Sequence, residues 1–129
     1  TLESGAVASV HVASQPWHGS GFRLEVYGRE GTLVLTSQDN AQIGSVRLEG
    51  ARGAGSALET IPVTSQHRWV PRSVPEGPPY NVAQMWGRFA DAIRNDGPVE
   101  PDFDLAVRRH RLLDAIQRAS DTGQRQTVQ

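Results

Sequence analysis

Cysteine and lysine are both absent from this 129-residue chain, so all thirteen basic residues are arginine. Without cysteine there is no disulfide, no thiol nucleophile and no thiolate metal site. Without lysine there is no Schiff base, no P-loop lysine and no lysine general acid. Methionine occurs once, at Met85, so Thr1 reads as an internal residue of something longer or as the end of a processed product. A net charge of −1 leaves no electrostatic footprint for nucleic acid or an anionic membrane. No apolar run approaches the ~20 residues that cross a bilayer, and no secretory signal pattern is present. A cytoplasmic location is expected.

What the sequence does contain is globular in kind, with 37% hydrophobic and 21% charged residues. The length is that of a single domain, 1–129, able to bury roughly two-thirds of its unfolded surface. From about residue 5 to 63 the chain alternates. In GAVASVHVAS, Ala6, Ala8, Val10 and Val12 point one way, and Val7, Ser9, His11 and Ala13 the other, which predicts a half-buried strand. SQPWHGSG reads as a loop. FRLEVY, TLVLT and SVRLE repeat the alternation, with Phe22, Leu24, Val26, Leu33, Leu35, Val46 and Leu48 inward. ALETIPV is a weaker strand whose Pro62 suits a sheet edge. Five such strands in succession predict an antiparallel meander. Its outer face carries Arg23, Glu25, Arg47, Glu49 and Glu59.

Residues 64–79 hold four prolines and read as an irregular arm. The period then changes from 2 to 3.6. Val82, Met85, Trp86, Phe89 and Ile93 form one apolar stripe on a helix over about 81–95. Asn81 is its expected N-cap, with Gln84 in the reciprocal capping position and a Tyr80–Met85 staple. Gly97 and Pro98 punctuate its end. A second helix over about 102–122 begins at PDFD and stops at Thr122–Gly123. The class is α+β: an open, mainly antiparallel sheet with two C-terminal helices packed on one face and the other face free.

Chemistry is sparse. Gly28 and Gly31 in VYGREGTLVLT could cradle a phosphate, but the spacing is GxxG and a strand follows. A Walker loop and a Rossmann fingerprint both need a following helix. The two glycines therefore read as the turn of a β-hairpin, taking backbone angles that other residues resist. The four histidines, His11, His18, His67 and His110, have no metal-ligand spacing. Trp17 beside His18 suits either a sugar ring or a loop anchor. In His67–Arg68–Trp69, Arg68 suits a carboxylate or phosphate and Trp69 either stacks a ligand or pins the arm. Arg109 falls within the apolar stripe of the second helix, which calls for an acid such as Asp91 or Asp114, or for snorkelling. No catalytic constellation, metal site or cofactor-binding set assembles from these residues.

Four stretches in order, SGAVASVHVAS, GFRLEVYGREGTLVL, YNVAQMWGRFADAI and FDLAVRRHRLLDAIQRASDTGQRQTV, resemble the C-terminal half of the Gfo/Idh/MocA oxidoreductases. The family's "sG" strand, its glycine hairpin and its last helix ending "a-x-x-S-x-x-G-x-x-v" correspond to Ser4–Gly5, Val26 to Leu33 and Ala119 to Val128. The resemblance implies the C-terminal part of an NAD(P)-dependent sugar or polyol dehydrogenase. NAD(P) would be held by an N-terminal Rossmann domain that is not in this sequence. The family's catalytic lysine and its acid–histidine stretch are not here either, so no catalytic residue is carried over. The fragment would wall a sugar or polyol site, with Trp17, His18, His67, Arg68 and Trp69 as substrate candidates. It would form a homo-oligomer through the exposed sheet face, with Arg23, Glu25, Arg47 and Glu49 as interface candidates. The alternative is a stand-alone, non-catalytic module that binds carbohydrate or protein.

Overall fold

Alternation becomes a hydrogen-bonded ladder in three long stretches and one short one. A computed structural model describes residues 1–13 and 17–128. Its strands are β1 (Phe22–Tyr27), β2 (Gly31–Ser37), β3 (Val46–Arg52) and β4 (Glu59–Thr60), in the sheet order β1-β2-β3-β4 with every pairing antiparallel. Two helices follow, α1 (Pro78–Asn95) and α2 (Phe103–Thr122). The class is α+β with an open sheet, as the periodicity predicts.

The register sorts side chains by face. Leu24, Leu35 and Leu48 stand in one row, and Val26, Leu33 and Gly50 in the next. A Cβ on Gly50 would meet Ile61 Cδ1 at 2.7 Å and Leu33 Cδ2 at 3.0 Å, so Ile61 occupies the space the glycine leaves. Ile61 is held there by its N–H donating to Leu48 O at 2.8 Å, and Pro62 ends the pairing. Glu59 pairs with Gly50. It therefore belongs to the leucine side, not to the charged face, and the expectation for Glu59 is corrected by one step of register.

The β1–β2 connection is a hairpin closed by Gly28 N–H to Gly31 O at 2.8 Å. The reason for its glycines differs from the one expected. Neither Gly28 nor Gly31 is among the residues with positive φ. Gly31 is required by close approach instead, because a Cβ there would overlap the Ala51 carbonyl oxygen of β3.

Residues 6–13 do not form the expected first strand. Val7, Val10 and Val12 are 80%, 82% and 88% exposed. Alternation makes a segment suited to one face of a sheet, but a strand exists only where an edge supplies its hydrogen bonds.

The chain divides into two compact bodies, Thr1–His67 with Glu76–Pro78, and Arg68–Pro75 with Pro79–Gln129. Helix α1 starts three residues earlier than expected. Pro78 and Pro79 open it, since a first-turn proline lacks only an N–H that would be unbonded anyway. Asn81 is thus inside the helix rather than its cap, and Tyr80 is helical rather than part of a staple. Asp96, at φ 47°, takes the left-handed position after α1, and Gly97 N–H donates to Ala92 O at 3.0 Å. The stop is therefore made by Asp96, with Gly97 one place beyond it. The second helix matches its reading closely: Asp102 Oδ1 accepts from Leu105 N–H at 2.7 Å, and Gly123, at φ 66°, closes the other end on Ala119 O.

Candidate functional site

The charged sheet face is built by strand register. Arg23, Thr36 and Arg47 stand in one row, Glu25, Val34, Glu49 and Thr60 in the next, and Tyr27, Thr32 and Ala51 in a third. All four interface candidates therefore share one face. Arg23 Nε donates to Glu25 Oε1 at 3.0 Å, Tyr27 OH donates to Glu25 Oε2 at 2.9 Å, and Arg47 Nη2 donates to Glu49 Oε1 at 2.8 Å. The Arg23 hydrogen bond, helped by that of Tyr27, holds the Glu25 carboxyl below its ordinary pKa. The same bond to Glu25 pushes the Tyr27 phenol up. At the centre lies Val34, one of two buried apolar residues of the chain's described part. Its place among charges is hidden in the sequence, where it reads as one more residue of an apolar run.

The second assembly lies on α1. The arm is anchored there by Trp69 N–H donating to Gln84 Oε1 at 2.7 Å. Gln84 thus satisfies the arm's backbone, not the helix's own N-terminus as expected. Gly87 lies beneath the arm, where a Cβ would be in ordinary contact with Trp69 O at 3.7 Å. The Arg88 guanidinium stacks over the Trp69 ring at 4.8 Å, and Arg68 over the Tyr80 ring at 5.0 Å. Trp69 stays half exposed. Beside it opens a cleft of about 590 Å³ lined by Trp69, Arg88, Asp91, Asn95 and Pro98, among others. Asp91 is charge-paired with Arg94 at 3.0 Å, whereas Arg88 has no carboxylate partner among the described residues. The cleft combines an aromatic edge, an arginine fork, a carboxylate and an amide, a set that can accept from and donate to a hydroxylated ligand. Arg88 carries no sequence signal of its own, and Gln84 carries one only as a capping residue; their roles beside Trp69 show only in the folded chain.

The other candidates are not among the residues that line this cleft. Trp17, His18 and His67 belong to the first body, while Arg68 and Trp69 belong to the second. Trp17 and His18 are exposed, with His18 at φ 46°, and His67 Nε2 lies 3.2 Å from Gln66 Nε2. The neighbouring loop positions 14–16 lie outside the described residues. Arg109 is exposed and makes no salt bridge among the described residues; Asp91 is taken by Arg94. Of the two alternatives for Arg109, pairing with Asp91 or Asp114 is not found among the described residues, and the exposed side chain agrees with snorkelling.

The glycine hairpin has neither the Walker nor the Rossmann arrangement for cradling a phosphate. Its Gly28 N–H is committed to Gly31 O, Gly31 is paired with Arg52, and a strand follows it, not a helix. Among the described residues no group of three histidines or acids is placed to hold a metal ion. No helix among the described residues is long and apolar enough to cross a membrane. Compared with protein-family models, curated proteins and solved structures, the chain finds no match.

Proposed function

We propose that this chain is the sheet-and-helix part of an NAD(P)-dependent sugar or polyol dehydrogenase of the Gfo/Idh/MocA type. It would wall the substrate site and supply a subunit interface without being catalytic alone. NAD(P) and the catalytic lysine would come from a Rossmann domain outside this sequence, in a cytoplasmic enzyme. One observation supports the reading above the others: glycines of the resembling motifs stand where the backbone demands them. Gly31 admits no Cβ beside Ala51, and Gly123 takes the left-handed cap of α2. The four charged residues of one sheet face support the interface role.

The decisive experiment is the encoding reading frame. A glycine fingerprint and a Glu-Lys-Pro motif upstream in the same frame are expected; a start codon immediately before Thr1 overturns the proposal. The isolated chain is expected not to bind NADH or NADPH, and tight binding of either would reverse the assignment of roles.

The second reading, a carbohydrate- or protein-binding module, is favoured by the Trp69–Arg88 cleft. Saturable quenching of tryptophan fluorescence by a neutral hexose, lost in Trp69→Ala, is the result that would promote it.

A further inference from the structure

We propose that two copies of this chain join edge to edge through β1, antiparallel, with Leu24 of one copy opposite Leu24 of the other. The proposal is independent of the dehydrogenase reading and of stacking through the charged face.

The two edges of the sheet are unlike. At one, β4 is two residues long and Pro62 lies just beyond it, a protected edge. At the other, β1 runs for six residues in unbroken register with β2, with no proline and no bulge. Phe22, Leu24 and Val26 along it are all partly exposed. Such an edge is a template for another strand.

The hairpin decides which main-chain groups face outward. Gly28 N–H points to β2, and direction alternates along an antiparallel strand. Val26, Leu24 and Phe22 therefore bond inward, leaving the N–H and C=O of Arg23, Glu25 and Tyr27 on the open edge. A two-fold axis at Leu24 then lets Arg23 of each copy exchange backbone hydrogen bonds with Glu25 of the other. The same register sets the Arg23 side chain across from Glu25, Leu24 across from Leu24, and Phe22 across from Val26. Slippage by two residues places Arg23 opposite Arg23, or Glu25 opposite Glu25. Slippage by one mixes the leucine face with the charged face. Only the register centred on Leu24 matches both charge and polarity, which is the self-complementarity that a two-fold contact requires.

The absence of cysteine makes the test clean. In the full chain carrying Leu24→Cys, the two sulfurs would sit in a non-hydrogen-bonded pair with Cα atoms about 4.5 Å apart, within disulfide reach. Mild oxidation is expected to give a covalent dimer as the major species. Glu25→Arg in that background should lower its yield several-fold, and Arg23→Glu with Glu25→Arg should restore it. If Leu24→Cys fails to fold, chains with Phe22→Cys mixed with chains with Val26→Cys should link to each other and not to themselves. Stacking through the charged face would hold the Leu24 side chains at least about 10 Å apart and give no link, so a dimer in solution that does not cross-link at these positions overturns the proposal. It is equally overturned by a chain that stays monomeric. Ring closure within one chain carrying Val10→Cys and Leu24→Cys would overturn it too, by showing that residues 6–13 of the same copy take the edge.

Discussion

Residues 6–13 and residues 22–27 are written in the same alternating pattern, yet only the second segment is a strand. The difference lies outside the segments. After Tyr27 comes a turn that closes on itself, Gly28 to Gly31, and then a central strand with neighbours on both sides. Between residues 6–13 and β1 no comparable closing pair is found among the described residues. Alternation states which face a residue would occupy; the turn supplies the partner that makes the face real.

Proline separates the two segments most sharply. Leu35→Pro, in the central strand between Leu24 and Leu48, removes a ladder donor and is expected to cost on the order of 3 kcal/mol or more. Val10→Pro should stay within about 0.5 kcal/mol. Urea unfolding of both variants measures this, and an equal loss for Val10→Pro would erase the distinction. The hairpin glycines come next. Gly31→Ala forces its Cβ into Ala51 O and should cost roughly 2–3 kcal/mol. Gly28→Ala meets only Gly31 O, at 3.3 Å, and should cost about 1 kcal/mol or less. Reversal of that order in denaturant midpoints would show that the turn's angles, not close approach, select glycine.

Smaller effects test whether local closing groups decide helices as they decide strands. Asp102→Ala should cost about 1 kcal/mol by removing the acceptor for Leu105 N–H. At the end of α1, Asp96→Gly should stabilise by about 0.5–1 kcal/mol, because glycine holds φ 47° without a Cβ penalty. Thermal melts followed by circular dichroism read both.

The smallest effect is pH-dependent and sits on β1 itself. The Glu25 pKa is lowered in the folded chain, so its contribution is present above the ordinary carboxylate value and is lost as pH falls through the lowered one. The Tyr27 pKa is raised, so its contribution is present below the ordinary phenol value and is lost as pH rises through the raised one. Arg23→Ala should move the Glu25 titration up in a carboxyl-carbon NMR experiment. A Glu25 titration unmoved by Arg23→Ala would mean that the pair seen in the structure is not held in solution.

Much of the architecture was legible because it depends on neighbours in sequence. Asp102 caps the residue three places on, Gly123 closes the turn before it, and Gly28 and Gly31 flank a two-residue loop. Two of the departures share a cause: a local signal was outbid by a more distant partner. Gln84 has the right spacing for a capping box, but Trp69, fifteen residues away in sequence, donates to it. Glu59 has the right charge for the outer face, but pairing with Gly50 assigns it to the other. The candidate cleft was half visible. Trp69 stood out as an aromatic in a proline-rich arm, whereas Arg88, Asp91 and Asn95 gain meaning only once the arm lies on α1.

By itself, then, the sequence determined the α+β class, the order of most elements, the hairpin and the two ends of α2, because periodicity and capping act over three or four residues. Tertiary structure decided which alternating segments became strands, which face Glu59 took, what Gln84 binds and where Val34 is buried. Those outcomes depend on which distant backbone supplies a hydrogen bond or closes a gap, and contacts of that kind are formed only by the folded chain.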